Sequence, residues 1–163
     1  DPEAKLFYND YNTENPDKRE KIIRMLNSLV DRGVPVHGIG LQGHWSNYYP
    51  LEKQLGQSLD DYSKLGLDIQ ITELDVSVYK DSHNDPDDDA FTPEREELQR
   101  VQYGMIFKVL RDYKNVISAV TFWNVSDKSS WLDNFPVKGR KNYPLLFDEN
   151  LKPKRVYYEV IKW

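Results

Sequence analysis

The chain contains no cysteine. That excludes disulfide staples and thiol nucleophiles, and it leaves the compartment open, since cysteine-free chains suit cytosol, periplasm and medium alike. Positive charge is not in excess either: 22 Lys and Arg against 27 Asp and Glu give a net charge of -5. A nucleic-acid binder needs a basic face to displace counterions from phosphates, so the charge argues against that class. No apolar run approaches the length a membrane span requires. The opening Asp1-Pro2-Glu3 does not read as a signal peptide. No GxGxxG and no P-loop follow any strand-like segment, which removes support for nucleotide binding. The acidic run Asp85-Pro86-Asp87-Asp88-Asp89 lacks the glycine and terminal glutamate of a calcium-binding loop. It reads as a solvated loop, and neither a metal nor a cofactor is expected.

Aromatic residues are plentiful at 13%, with four Trp and eleven Tyr in a chain that is only 39% apolar. They imply a rich core or a surface that stacks on ring-shaped ligands. Four strand-then-helix units read out in order. Lys5–Tyr11 is strand-like, and Asn15-Pro16 caps a helix that Gly33 ends. Val36–Gln42 is the second strand, followed by a helical stripe from Leu51 to Leu65 closed by Gly66. Leu67–Leu74 is the third. A polar loop from Tyr79 to Phe91 leads to a helix capped by Thr92-Pro93. Val116–Val125 is the fourth strand, and an aromatic loop from Ser126 to Phe147 precedes a last helix opening at Pro153. Alternating β and α segments imply a parallel sheet with right-handed crossovers. Four such units make either a doubly wound fold or half of an eight-stranded barrel, which needs about 250 residues.

The polar and aromatic residues of interest gather at the C-terminal strand ends, where barrel enzymes place their chemistry. The second strand ends Gln42-Gly43-His44-Trp45, the third Ile71-Thr72-Glu73-Leu74-Asp75, and the fourth Phe122-Trp123-Asn124. Residues two apart on a strand share a face, so Gln42 pairs in direction with His44, and Glu73 with Asp75. The same alternation expects Ile69 and Ile71 to continue inward below Glu73, and Trp123 to be in phase with Ile117, Ala119 and Thr121. Taken singly, a Glu or a His at a strand end is an ordinary solvated or structural group. Three successive strands delivering such residues to one rim point to a nucleophile site built around Glu73.

These strings resemble the family 10 glycoside hydrolases, endo-1,4-β-xylanases built on a TIM barrel. The resemblance covers essentially the whole chain. Its specific parts are Thr72-Glu73-Leu74-Asp75 and the loop spaced as Trp123, Asp127 and Trp131. It implies α/β architecture with residues 1–163 as the C-terminal half, strands five to eight, of a (β/α)8 barrel. It implies retaining hydrolysis of β-1,4-xylan or xylo-oligosaccharides. By resemblance, Glu73 is the nucleophile, His44 bonds to it, and Asp75 orients His44. Gln42 lies near the acid/base carboxylate, Tyr11 and Asn12 flank the leaving-group sugar, and Trp123 and Trp131 wall the sugar being cleaved. A secreted, periplasmic or cell-surface location follows from the same resemblance.

Three departures are visible. Leu132 follows Trp131 where the family often has a basic residue, and Asn124 follows Trp123 where it often has glycine. The third is larger: the family's acid/base Glu, in an Asn-Glu pair ending strand four, has no counterpart here. The expected partner is therefore an N-terminal half of the same barrel. Without it, the chain is expected to leave unpaired sheet edges and an apolar interior open to water. The alternatives are a β-1,4-glucanase of the same fold, or a non-catalytic half-barrel that holds sugar on Trp123, Trp131, Trp45 and Tyr11.

Overall fold

The computed structural model describes residues 1–80 and 90–162. The acidic run at 85–89 lies outside the described residues. The chain divides into two compact units, taken in turn.

The first unit comprises Asp1–Gly43, Pro50–Leu74 and Val109–Thr121. It holds β1 (Phe7–Asp10), α1 (Pro16–Asp31), β2 (Gly38–Leu41), α2 (Glu52–Ser63) and most of β4 (Asp68–Ser77) and β5 (Ile117–Phe122). β1 pairs with β2 and β2 with β4, both parallel, and β5 joins β4 on its other side. The parallel order follows from the helical crossovers, as the alternating pattern requires. The caps form as their residues dictate. The Asn15 side chain accepts from the N–H groups of Asp17 and Lys18, with Pro16 at the first helical position. Gly33 and Gly66, at φ +68° and +67°, follow the ends of α1 and α2.

The core of this unit is a helix-to-sheet layer. Ile22 and Leu26 of α1 and Leu55, Leu59 and Tyr62 of α2 are buried, as are Ile39, Leu41, Ile69 and Ile71 of the strands. Each fully buried branched residue contributes roughly 1.5–3 kcal/mol. The Tyr62 hydroxyl finds its required partner in the Thr13 carbonyl at 2.8 Å. This corrects the expected phase of β4: Ile69 and Ile71 belong to the core and are 0% exposed. The opposite face is polar. Gln70 donates to the Ser118 hydroxyl, Ser118 to Asp68, and Thr72 to the Asn9 side chain. The interior expected to be apolar and open to water at Ile69 and Ile71 is thus neither at those positions. Nor does β5 alternate simply: Ser118 and Thr121 are its exposed positions, as is Trp123 just beyond it, while Ile117 and Ala119 are half-buried.

The second unit comprises His44–Tyr49, Asp75–Lys108 and Phe122–Trp163. Here a short extra strand, β3 (His44–Ser46), pairs parallel with the end of β4, His44 opposite Asp75 and Ser46 opposite Ser77. Three residues are too few to show a period, so the sequence pattern does not reveal β3. α3 (Pro93–Asp112) is capped by Thr92, whose hydroxyl accepts from Arg95 N–H. Phe122 stacks on Phe107 of α3 at 6.2 Å and 7°. The loop after β5 contains two short 3₁₀ turns, Asp127–Ser129 and Trp131–Asp133. The last helix, α4 (Arg155–Val160), begins two residues beyond Pro153.

Candidate active site

In the first unit, Glu73 sits where β4 changes phase. Leu41 pairs with Ile71, a numbering offset of 30, while His44 pairs with Asp75, an offset of 31. One extra residue therefore enters β4 between Ile71 and Asp75, which is a β-bulge. At the bulge the Glu73 N–H donates to the Gln42 carbonyl at 2.8 Å. A single extra residue flips every side chain beyond it. The consecutive Thr72 and Glu73 accordingly reach the same neighbour. Thr72 donates to Asn9 Oδ1 at 2.7 Å, and Asn9 Nδ2 donates to Glu73 Oε1 at 2.9 Å. The bulge is what turns Glu73 away from the Ile71 side and onto the polar face.

Asn9 was not singled out in the sequence, yet its amide orients the Glu73 carboxylate. The signal that could have found it is Gly40, which pairs with Asn9 across the ladder. A Cβ at Gly40 would stand 2.4 Å from Asn9 Oδ1 and 2.8 Å from Thr72 Cγ2. Only glycine lets the Asn9 side chain cross β2. Gly40→Ala is expected to cost about 1–3 kcal/mol, the usual penalty of overpacking, read as a lower midpoint in denaturant unfolding. An unchanged midpoint would show that Asn9 yields freely.

Beyond β1 the chain turns through Tyr11, which is exposed, and Asn12, at φ +50°. The Asp10 carboxylate accepts from the Tyr8 hydroxyl, Tyr11 N–H and Lys18 Nζ. Burial works to raise the Asp10 carboxyl, but these donors outweigh it and hold the group below the usual range. Burial, with the hydrogen bond to Asp10 second, pushes the Tyr8 phenol up to about 12. Lys18 Nζ also lies 3.8 Å from the centre of the Tyr11 ring.

In the second unit, Asp75 is the anchor. Its side chain is 1% exposed, and a carboxylate so buried requires donors on its oxygens. His44 Nδ1 lies 3.0 Å from Oδ1, and the Trp131 indole N–H donates to Oδ2 at 2.7 Å. An ionised carboxylate can only accept, so the His44 Nδ1 side of this contact is the donor. His44 also meets Trp131 edge-on at 5.0 Å and Trp123 at 6.2 Å. Trp123 is 48% and Trp131 37% exposed, so both present ring surface to solvent. Trp45 does not: it is 4% exposed and belongs to the core, which removes it from the sugar-holding set. The hydrogen bond from Trp131 to Asp75 is invisible in the sequence, because it spans 56 positions. Among the described residues no cluster of His, Asp and Glu has the arrangement to hold a metal ion.

The aromatic loop is tied down by lysines. Lys154 Nζ donates to Asp127 Oδ2 at 2.8 Å and to the Tyr143 carbonyl at 2.7 Å. Asp127 Oδ1 accepts from Leu145 N–H. Lys141 Nζ reaches the Asp127 carbonyl and the Asp133 carboxylate.

Comparison with known proteins places this geometry. Residues 1–163 match the sequence profile described as Glycosyl hydrolase family 10. A β-1,4-xylanase of Dictyoglomus thermophilum is 46% identical over the whole chain, which covers 46% of that protein. The crystal structure of xylanase XynB from Paenibacillus barcinonensis, complexed with a conduramine derivative, superposes with a TM-score of 0.96. It is 47% identical, with 99% of this chain and 49% of that one covered. A mutant structure in complex with xylotriose gives 0.94 at 46% identity, covering 98% of this chain and 49% of that one. The chain thus spans about half the length of the relatives it matches. Its parallel α/β sheet is that of a partial (β/α)8 barrel, and the chain belongs to glycosyl hydrolase family 10.

Proposed function

We propose that the full-length protein containing this chain is an endo-acting, retaining β-1,4-xylanase in which Glu73 is the nucleophile. The observation that carries this reading is the Glu73 carboxylate, turned onto the polar face by a β-bulge and held by Asn9, in a chain matching family 10 throughout. Glu73 attacks the anomeric carbon, the glycosidic C–O bond breaks, and a second carboxyl group protonates the leaving oxygen. Water then hydrolyses the glycosyl-enzyme with that second group acting as base. Retention requires the two carboxyls to lie about 5–5.5 Å apart. We assign the second to an Asn-Glu pair ending strand four, in the N-terminal half of the barrel, with this chain supplying strands five to eight.

In the same reading His44 orients the nucleophile, and Asp75 fixes the tautomer of His44. Gln42 lies near the acid/base group, Tyr11 and Asn12 border the leaving-group sugar, and Trp123 and Trp131 wall the sugar being cleaved. The substrate is xylan or a xylo-oligosaccharide, supported by the xylanase relatives and the xylotriose complex. Xylan is a polymer met outside the cytoplasm, so we place the protein in a secreted, periplasmic or cell-surface location.

The test is hydrolysis by the full-length protein of xylan and of a soluble cellulose derivative, with the anomer of the first product followed by proton NMR. Xylan is expected to be preferred by at least about tenfold, since rejecting one extra carbon group is worth roughly 10–200-fold. The first product is expected to be the β-anomer. An α-anomer would overturn retention, a preference for cellulose would make the protein a glucanase, and no turnover would leave a carbohydrate-binding module.

A further inference from the structure

Beyond the residues already assigned, the loop after β5 carries one more exposed aromatic ring. Phe135 is 58% exposed, although folding usually withdraws a phenyl ring from water. Its ring lies 5.3 Å from that of Trp131, with 18° between the planes. That is an offset stack, which covers only part of each face. The backbone around it is ordered from within. Asn134 N–H donates to the Trp131 carbonyl, Gly139 N–H to the Asp133 carbonyl, and Asp133 is paired with Lys141. Leu132 and Val137, on either side, are buried and anchor the segment. The loop therefore holds its shape through other residues and presents the Phe135 ring outward.

The ring continues a row. Trp123 and Trp131 are exposed aromatics that meet His44 in T-shaped contacts on either side, and Phe135 lies beyond Trp131 on the same loop. From the imidazole outward on this side, Trp131 and then Phe135 offer half-exposed rings in succession, which suits a chain of pyranose rings. Each pyranose presents an apolar C–H face and an equatorial rim of hydroxyls. An unbranched β-1,4-linked chain offers such faces in succession.

We propose that Phe135 is a substrate-binding residue that extends the Trp131 platform, stacking on the pyranose ring of a xylo-oligosaccharide one position further from His44. This rests on the xylanase reading above and deepens it. Because the contact is with a distal sugar, its effect grows with chain length. Xylobiose ends before it and longer oligosaccharides reach it.

The experiment compares the full-length protein with Phe135→Ala, Phe135→Leu and Phe135→Tyr. Binding of xylobiose and xylohexaose is measured by calorimetry in a Glu73→Gln background, and KM for both is measured in the active background. Phe135→Ala is expected to weaken xylohexaose binding about three- to tenfold, the range of one aromatic contact. Xylobiose binding should stay within about twofold, and Phe135→Tyr should restore wild-type affinity. Phe135→Leu keeps apolar bulk without a ring face, and is expected to behave like Phe135→Ala. Tryptophan emission of the unliganded variants reads whether Trp131 has shifted. Equal loss for both ligands with altered emission would make Phe135 a structural prop of Trp131 and overturn the proposal. Unchanged xylohexaose affinity would overturn it too. Because the calorimetry needs no turnover, absence of xylanase activity in the wild type would sink the catalytic reading separately.

Discussion

Glu73→Ala in the full-length protein is expected to lower kcat on xylan by at least about 10⁴-fold, the order seen when a member of a covalent catalytic set is deleted. The unfolding temperature should move by no more than a few degrees. Without the carboxylate no ester to the anomeric carbon can form, and the two-step route is closed. The fold has little stake in this side chain, since Glu73 is not among the buried residues of its unit. Azide added to the variant enters the space the carboxylate leaves. It attacks the anomeric carbon from the nucleophile's face, the glycosidic bond breaks with proton transfer to the leaving oxygen, and the product is the inverted α-glycosyl azide. Near-normal kcat in the alanine variant would remove Glu73 from the mechanism. Rescue yielding a β-azide would mean that attack comes from the other face.

Lys154→Met is expected to destabilise the protein by about 3–5 kcal/mol, the range found when one partner of a buried ion pair is removed. Lys154 and Asp127 are 6% and 1% exposed and 2.8 Å apart. Burial raises the Asp127 carboxyl above its ordinary range, with Lys154 pulling the other way, and burial likewise lowers the Lys154 ammonium against the pull of Asp127. Each ion is tolerated only because the other is there. The Tyr143 carbonyl loses a donor as well. A double variant, Lys154→Met with Asp127→Leu, should recover much of the loss, because no uncompensated charge stays buried. Recovery will be incomplete, since the Leu145 N–H then loses its Asp127 acceptor. The check is denaturant unfolding of the single and double variants. A single variant within about 1 kcal/mol of wild type would show that water reaches the pair.

Where local chemistry decides local structure, the sequence was readable. Asn15 and Pro16 opened α1, Thr92 capped α3, and Gly33 and Gly66 followed helices as left-handed residues, because each effect lies within a few positions of its cause. The strand ends bearing Gln42, His44, Glu73, Asp75 and Trp123 were legible from composition and alternation. What failed was the alternation through β4. The rule that residues two apart share a face has no way to count an inserted residue, so it puts Ile69 and Ile71 on the side of the sheet opposite to the core they occupy. The bulge that breaks the alternation is the device that aims Glu73. Asn9 and the Trp131 indole act across 64 and 56 positions, and Trp45 looks in sequence like any other tryptophan at a strand end. Only the packing of neighbouring strands separates a core indole such as Trp45 from an exposed one such as Trp123.

The central claim, that Glu73 forms the covalent glycosyl-enzyme, is tested most directly by trapping that species. The full-length protein is incubated with an activated 2-deoxy-2-fluoro-xylobioside, whose fluorine slows hydrolysis of the ester. It is then digested and mapped by mass spectrometry. One fluoroxylobiosyl group per molecule is expected, carried by the peptide containing Thr72-Glu73-Leu74-Asp75 and located on Glu73 by fragmentation. A label on Asp75 or on any residue outside that peptide would contradict the account. So would inactivation of the enzyme without a covalent adduct.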